Sequence, residues 1–239
     1  MRGVLLAGGV GNRLYPLTKV INKHLLPVGD RPMIYWVLDK FVECGIVDIA
    51  VVIGPEHVGQ LVKQLGDGGE FGLRLTYKIQ EQADGVAGAL MLAEEFVTDC
   101  HDANVMVLLG DNIFLNSLKQ IKKDFEKNAC MFGIVGTKSN SPERFGVVEL
   151  DENFNILSIE EKPNHPKSDI VQTGCYLYHH TVFDYMKDLD KSARGEFEIT
   201  DLNNILLERA GLYCYSYDGF WSDAGTPESY RLVNEVVRR

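Results

Sequence analysis

The sequence predicts an α/β fold whose sheet is mixed, mostly parallel and covered by helices on both faces. Three observations carry that prediction. Strand-like and helix-like segments alternate through about the first 140 residues. Several of the strand-like runs are apolar throughout, as strands buried on both faces are. Three of them also end at glycine, in Ala7-Gly8-Gly9, Ile53-Gly54-Pro55 and Leu109-Gly110-Asp111.

In chain order, Val4 to Ala7 is a short apolar strand halted by glycine. Met33 to Cys44 has helical spacing in Ile34, Val37, Leu38, Phe41 and Val42, with Gly45 as its stop. DIAVVIG is an apolar strand closed by Gly54-Pro55, HVGQLVKQL is helical, and LRLTYKIQ alternates as a strand does. VAGALMLAEEF is helical again, NVMVLLGD is a buried strand, residues 117–127 form a helix, and CMFGIVGT is another strand. After about residue 140 the pattern changes. FGVVELDENFNILSIEEKP reads as a hairpin turning at Asp151-Glu152-Asn153, and VQTGCYLYHH as a strand. Thr200 to Arg209 follows as a helix through Leu202, Ile205 and Leu206, and LYCYSYDG alternates. No linker, repeat or low-complexity run interrupts the chain, so a single domain over 1–239 is expected.

Composition narrows the function. Hydrophobic residues make up 45% and aromatic residues 10%, enough for a substantial core. The 24 Lys and Arg against 34 Asp and Glu give a net charge of −10. That balance argues against broad binding to nucleic acid or to an anionic membrane, both of which need basic patches. A small anionic substrate stays open, provided local cations or a metal overcome the overall field. The five cysteines, Cys44, Cys100, Cys130, Cys175 and Cys214, are scattered and lack a CxxC pair. They read as reduced core residues of a cytoplasmic protein. Val4 to Ala7 is too short for the apolar region of a signal peptide, and no stretch approaches the ~20 apolar residues of a membrane span.

Open α/β sheets bind ligands outside the carboxyl ends of their strands. That rule selects Gly8 to Arg13, Gln80 to Gly88, and Gly110-Asp111-Asn112. The first loop is not a P-loop, because no Gly-Lys-Ser/Thr follows it. It fits a dinucleotide fingerprint poorly, since Leu14 stands where the third glycine belongs. A mononucleotide loop is the better match. Small residues let backbone N–H groups approach a base and phosphates, and Arg13 offers a forked cation to phosphate oxygens. A tight turn with a surface arginine remains the plainer alternative. Lys23, ten residues on in NKHLLPV, supplies a second cation.

Asp111 ends an apolar strand in VLLGDNIF, where capping the next helix would be its plainer role. Asp223 lies in GFWSDAGTPESY, just before a helix that Thr226 is suited to start. Two carboxylates from distant parts of a chain suit a Mg²⁺ bridged to substrate phosphates, because Mg²⁺ takes one or two carboxylates and fills its shell with phosphate and water. Lys162 sits in IEEKP at a strand end, beside Glu161, which could accept hydrogen bonds from sugar hydroxyls or form a solvated pair with it.

Along the chain stand Leu6-Ala7-Gly8-Gly9-x-Gly11-x-Arg13-Leu14, Lys23-His24-Leu25-Leu26-Pro27-Val28, Arg31-Pro32-Met33-Ile34, Gln80, Asp84-Gly85 and Leu109-Gly110-Asp111-Asn112. Glu143-Arg144-Phe145-Gly146-Val147-Val148, Glu160-Glu161-Lys162-Pro163, Thr173-Gly174, Arg194-Gly195-Glu196-x-Glu198-Ile199-Thr200-Asp201 and Trp221-x-Asp223-x-Gly225-Thr226 follow. In this order and spacing they resemble the sugar nucleotidyltransferases, most closely the glucose-1-phosphate thymidylyltransferases, over nearly the whole chain. The resemblance implies a Rossmann-like nucleotide-diphospho-sugar transferase fold, with a nucleotide-binding half at 1–140 and a sugar-phosphate-binding half at 141–239. It implies transfer of a thymidylyl group from dTTP to a sugar 1-phosphate, glucose 1-phosphate foremost, in line and with pyrophosphate leaving. By resemblance Arg13 and Lys23 grip the triphosphate, Asp111 and Asp223 hold Mg²⁺, and Lys162 orients the attacking phosphate. Leu6, Gly8, Gly9, Gly11, Gln80 and Gly85 would surround the nucleotide, with Asp111. Gly146, Glu161, Gly174 and Trp221 would surround the sugar.

The chain departs from the family pattern at His24, where Gln is common, at Phe145, where an aromatic hydroxyl is common, and at Gly88, where a longer polar residue is usual. It also stops soon after Thr226, whereas longer members continue into helices that build an inhibitor site and a tetramer contact, so a monomer or homodimer is expected. The same chemistry with UTP or CTP and another sugar 1-phosphate is the near alternative. A nucleotide-sugar-dependent glycosyltransferase is the distant one, and Arg13 and Lys23 argue against it, since that reaction frees no pyrophosphate. A nucleotide sensor without catalysis would not need both Asp111 and Asp223.

Overall fold

The computed structural model describes residues 1–99 and 103–238. The first half lays down β1 (Arg2–Ala7), β2 (Pro27–Val28), β3 (Arg31–Pro32), α1 (Met33–Glu43), β4 (Asp48–Ile53), α2 (Val58–Leu65) and β5 (Arg74–Ile79). Next come α3 (Val86–Met91), α4 (Glu94–Thr98), β6 (Asn104–Leu109), β7 (Asn112–Phe114), α5 (Lys119–Lys127) and β8 (Phe132–Lys138). The second half adds β9 (Gly146–Leu150), β10 (Ile156–Glu161), β11 (Ile170–His179), α6 (Val182–Met186), α7 (Ile199–Arg209), β12 (Tyr213–Ser216), β13 (Trp221–Asp223) and α8 (Pro227–Val237).

Among the described residues, nine strands form the central sheet in the order β10, β9, β11, β6, β1, β4, β5, with β8 and then β12 branching from β11. β1, β4, β5 and β6 pair in parallel. β11 runs against β6, β8 and β9, β10 runs against β9, and β12 runs with β8. Following those pairings, only β10 and β11 oppose the other seven, so the sheet is mixed and mostly parallel, as the apolar runs predict.

The runs are apolar throughout because both faces of the sheet are covered. In β1, Val4 and Leu6 face one cluster with α3, α6 and α7, while Leu5 and Ala7 face another with α1, α2 and α5. β4 and β6 divide the same way, Ala50 and Val107 toward the first cluster, Val51 and Leu108 toward the second. Burying each such Val or Leu contributes about 1.5–3 kcal/mol. A third, smaller cluster joins Leu14, Val28, Met33, Ile113, Ala224 and Val233, and seats α8 against the short strands.

Three details differ from the sequence expectations. The helix expected over 86–96 is two helices, because Ala93 N–H bonds Leu90 O at 2.9 Å in a tighter turn. The strands β2, β3, β7 and β13 are two or three residues long, too short for any alternation to declare them. Cys44 and Cys175 are buried and free as expected, but Cys130 and Cys214 are only half-buried. Cys130 lies at the turn after α5, its thiol donating to Phe132 O at 3.2 Å; Cys100 lies outside the described residues. Among the described residues no helix is long and apolar enough to cross a membrane.

Candidate active site

The parallel register brings the glycine-ended strands to one edge. Leu6 lies opposite Leu109, and Ala7 opposite Ile53. Gly110 N–H then donates to Leu6 O, and Gln80 N–H to Ile53 O, both at 2.8 Å. A cavity of about 750 Å³ opens over this edge. Its wall includes Leu6, Gly8, Gly9, Arg13, Lys23, Gln80, Gly85 and Asp111 from the first half of the chain. Gly146, Glu161, Lys162, Gly174, Trp221 and Asp223 reach it from the second. Gly11 is the exception. With φ of 75° it turns the loop behind the wall, and its carbonyl accepts from Leu14 N–H and the Thr18 hydroxyl, both at 2.9 Å. A Cβ there would strike the Thr18 and Lys23 side chains, so Gly11 shapes the loop without lining the cavity.

Asp111 and Asp223 meet because β7 and β13 pair antiparallel, with Asp223 opposite Asn112. A Cβ built on Gly225 would lie 3.3 Å from Asp111 Oδ2, from Asp223 Oδ2 and from Arg13 Nη2. Only glycine leaves that point open. Lys23 Nζ donates to Asp111 Oδ2 at 2.6 Å, with both side chains 13% exposed, and Asn112 Nδ2 donates to Asp111 Oδ1 at 2.9 Å. Burial pushes the Asp111 carboxyl up, but Lys23, His24 and these hydrogen bonds outweigh it and hold the group well below the usual carboxylate range. Asp223 moves the other way. Burial and the charge of Asp111 raise it, against the pull of Arg144, Arg13 and Lys23. Among the described residues no three His, Cys, Asp or Glu side chains cluster as metal ligands. Two carboxylates facing an open point suit Mg²⁺, which leaves the rest of its shell to phosphate and water.

Asn112 was selected from the sequence only as part of Gly110-Asp111-Asn112, without a role of its own. It is 3% exposed, and its Oδ1 accepts from Trp221 Nε1 at 2.7 Å and Gly174 N–H at 2.9 Å. One side chain thereby fixes Asp111, the Gly174 backbone and the Trp221 ring together. Arg144, Arg194, Glu196 and Glu198 also reach the wall without a role assigned from sequence. The lining carries five cations (Arg13, Lys23, Arg144, Lys162, Arg194) and five carboxylates (Asp111, Glu161, Glu196, Glu198, Asp223). Its own charge is therefore balanced, and a divalent cation would turn it positive.

Lys162 has a φ of 46°, a left-handed conformation that costs a residue with a Cβ about 1–2 kcal/mol. Its N–H donates to Phe145 O at 2.9 Å, and its Nζ lies 2.8 Å from Glu161 Oε1. The departures from the family pattern have local causes. The Phe145 ring packs edge-on to Trp221, with centroids 5.1 Å apart. His24 is 1% exposed, bonded through Nδ1 to Asn22 Oδ1, and lowered to about 3 by burial and the neighbouring Lys23 charge, against the opposing pull of Asp111. A Cβ at Gly88 would meet the Asp84 carboxylate at 2.5 Å, and that carboxylate accepts from Gln80 Nε2 at 2.8 Å. Gly85, at φ of 100°, passes close to Phe197. There Ala87 N–H donates to Phe197 O at 3.1 Å and Phe197 N–H to Asp84 O at 2.7 Å.

Residues 2–239 match the model of the nucleotidyl transferase family. The chain belongs to this family. Among nucleotidyl transferases, it is 47% identical to a glucose-1-phosphate thymidylyltransferase of Neisseria gonorrhoeae, covering 100% of this chain and 83% of the relative. It is 39% identical to one of Mycolicibacterium smegmatis, with 100% and 82% covered. A Bacillus anthracis crystal structure, provisionally assigned as a glucose-1-phosphate thymidylyltransferase and solved with sucrose, superposes with a TM-score of 0.93 at 47% identity. That superposition covers 100% of this chain and 95% of the other. A UDP-glucose pyrophosphorylase with UDP-glucose, at 22% identity and a TM-score of 0.86, covers 99% of this chain and 98% of its own and shares the fold.

Proposed function

We propose that this nucleotidyl transferase moves the thymidylyl group of dTTP onto glucose 1-phosphate and releases pyrophosphate. The observation that carries the reading is the convergence of Asp111, Asp223 and Arg13 on one open point beside Gly225. Lys162 and Glu161 share the same cavity wall. Such a transfer needs positioning and charge neutralisation more than covalent help from the protein.

In this reading Arg13 and Lys23 hold the β- and γ-phosphates and take up charge as pyrophosphate departs. Lys162, fixed by its left-handed backbone, aims the sugar phosphate at the α-phosphorus. Glu161 accepts from sugar hydroxyls, the Gly146 and Gly174 backbones line the sugar's path, and Gln80 with Gly85 reads the base. Mg²⁺ held by Asp111 and Asp223 would neutralise phosphate charge. Free thiols at Cys44 and Cys175 fit a reducing cytoplasm, and the substrates are a nucleoside triphosphate and a sugar 1-phosphate, handled by a monomer or homodimer.

Purified protein with dTTP, glucose 1-phosphate and Mg²⁺ should release pyrophosphate. Release with UTP or CTP in preference to dTTP would reassign the base, and no release with any such pair would refute the reading. Asp111→Asn and Asp223→Asn should each lose turnover and weaken Mn²⁺ binding measured calorimetrically with dTTP present. Full turnover in either would remove the metal assignment.

A further inference from the structure

Behind Glu161 a chain of buried polar side chains leads into the core between β11 and α7. The Tyr178 hydroxyl donates to Asn203 Oδ1 at 2.6 Å, and Asn203 Nδ2 donates to Gln172 Oε1 at 2.9 Å. Gln172 Nε2 donates to the Thr200 hydroxyl at 2.5 Å, and that hydroxyl donates to Glu161 Oε2 at 2.6 Å. Tyr178, Asn203, Gln172 and Thr200 are 0%, 0%, 5% and 1% exposed. A buried polar network of this size is costly unless each member is satisfied.

The donors all run one way. An amide nitrogen can only donate, so Gln172 Nε2 occupies the Thr200 oxygen as an acceptor. The single Thr200 proton is then committed to Glu161. The Gln172 amide is in turn oriented by Asn203, and Asn203 by a phenol whose one proton it receives. At the far end, Glu161 Oε2 is held from behind, while Oε1 faces Lys162 Nζ at 2.8 Å and Arg194 Nη2 at 3.7 Å in the cavity. Gly146 makes room for the relay, since a Cβ there would lie 2.1 Å from Gln172 Nε2.

We infer that Gln172 is a positioning residue for sugar recognition, fixing through Thr200 the orientation in which the Glu161 carboxylate accepts hydroxyl protons from a sugar 1-phosphate. The inference rests on the proposed function, because Glu161 needs a hydroxylated substrate to accept from. Gln172 borders the cavity, but its amide oxygen and one amide proton are committed to Asn203 and Thr200, and the relay gives it a role through Glu161.

The test compares Gln172→Leu with Gln172→Glu. The glutamate keeps the size and the bond from Asn203 but cannot donate to Thr200 when ionised. Both variants are expected to raise KM for glucose 1-phosphate about tenfold, the worth of one hydrogen bond to a charged group, and to leave KM for dTTP unchanged. Tyr178→Phe, which removes one oxygen at the remote end, should move the same KM in the same direction by less, and it carries the test if the Gln172 variants fail to fold. Wild-type protein without turnover on dTTP and glucose 1-phosphate would overturn the functional reading and the relay's purpose with it. Wild-type turnover with a normal glucose 1-phosphate KM in a folded Gln172→Leu or in Tyr178→Phe would overturn the relay alone. So would a change shared equally by both KM values and tracking the thermal midpoint.

Discussion

Lys162 offers a substitution in which stability and activity should part company. Its φ of 46° is a conformation that glycine adopts freely and that costs a residue with a Cβ about 1–2 kcal/mol. The side chain is 46% exposed, so its pair with Glu161 contributes at most about 1 kcal/mol. Lys162→Ala removes that pair and keeps the strain. Lys162→Gly removes both, but gives the unfolded chain about 0.5–1 kcal/mol of extra freedom. The difference leaves the glycine variant about 0.5–1 kcal/mol more stable than the alanine variant, or about 1–4 °C in thermal midpoint for a chain of this size. Both should lose about 10²–10³ in turnover, the usual cost of removing one preorganised charge. Differential scanning calorimetry beside a pyrophosphate-release assay reads both quantities. A glycine variant less stable than the alanine variant would refute the strain, and an alanine variant with full turnover would refute the role.

Arg13 is exposed and pairs with no carboxylate among the described residues, so Arg13→Ala should cut turnover by about 10²–10³ and leave the thermal midpoint where it was; equal losses in both would return it to a surface charge. Lys23→Ala strands the Asp111 carboxylate at 13% exposure and should cost about 3 kcal/mol of stability, whereas adding Asp111→Asn should recover most of it without restoring activity. An unchanged denaturant midpoint in Lys23→Ala would contradict the pairing. His24, lowered to about 3 by burial foremost and then by Lys23, binds fewer protons folded than unfolded. Stability should therefore fall as pH drops from the unfolded value near 6.5 toward 3, by about 2 kcal/mol at pH 5. Asp111 works in a lower window, because its stabilisation is lost only below the ordinary carboxylate range. Between pH 6.5 and 5 the acid loss should flatten in His24→Gln, and parallel curves for the two proteins would exclude His24 as its source.

The sheet was legible because β1, β4 and β6 are apolar on both faces, and buried strands in sequence leave no other pattern. The cavity edge was legible because Gly8, Gly54 and Gly110 end those strands. What brings Asp223 to Asp111 was not. The β7 and β13 segments are three residues each, and their pairing spans more than a hundred positions of chain, so nothing local marks it. Gly11 looked like its neighbours in the loop, and only its φ and the packing behind it separate turn-making from lining. The roles of Asn112 and Gln172 escaped notice for a different reason. Their work is to bond groups 28 to 109 residues away, and such a partner leaves no spacing to read.

The two backbone bonds between Phe197 and residues 84 and 87 tie the loop proposed to read the base to the segment carrying Glu196, Glu198 and Thr200. Ordering of one loop should therefore favour ordering of the other. A nucleotide that ordered residues 84 to 87 would leave a sugar phosphate less ordering entropy to spend on the joined segment. By linkage the sugar phosphate must tighten nucleotide binding by the same factor. Mutual reinforcement of this kind needs no hinge and no closing lid. It would appear as slower amide exchange at Ala87 and Phe197 when either ligand is present alone.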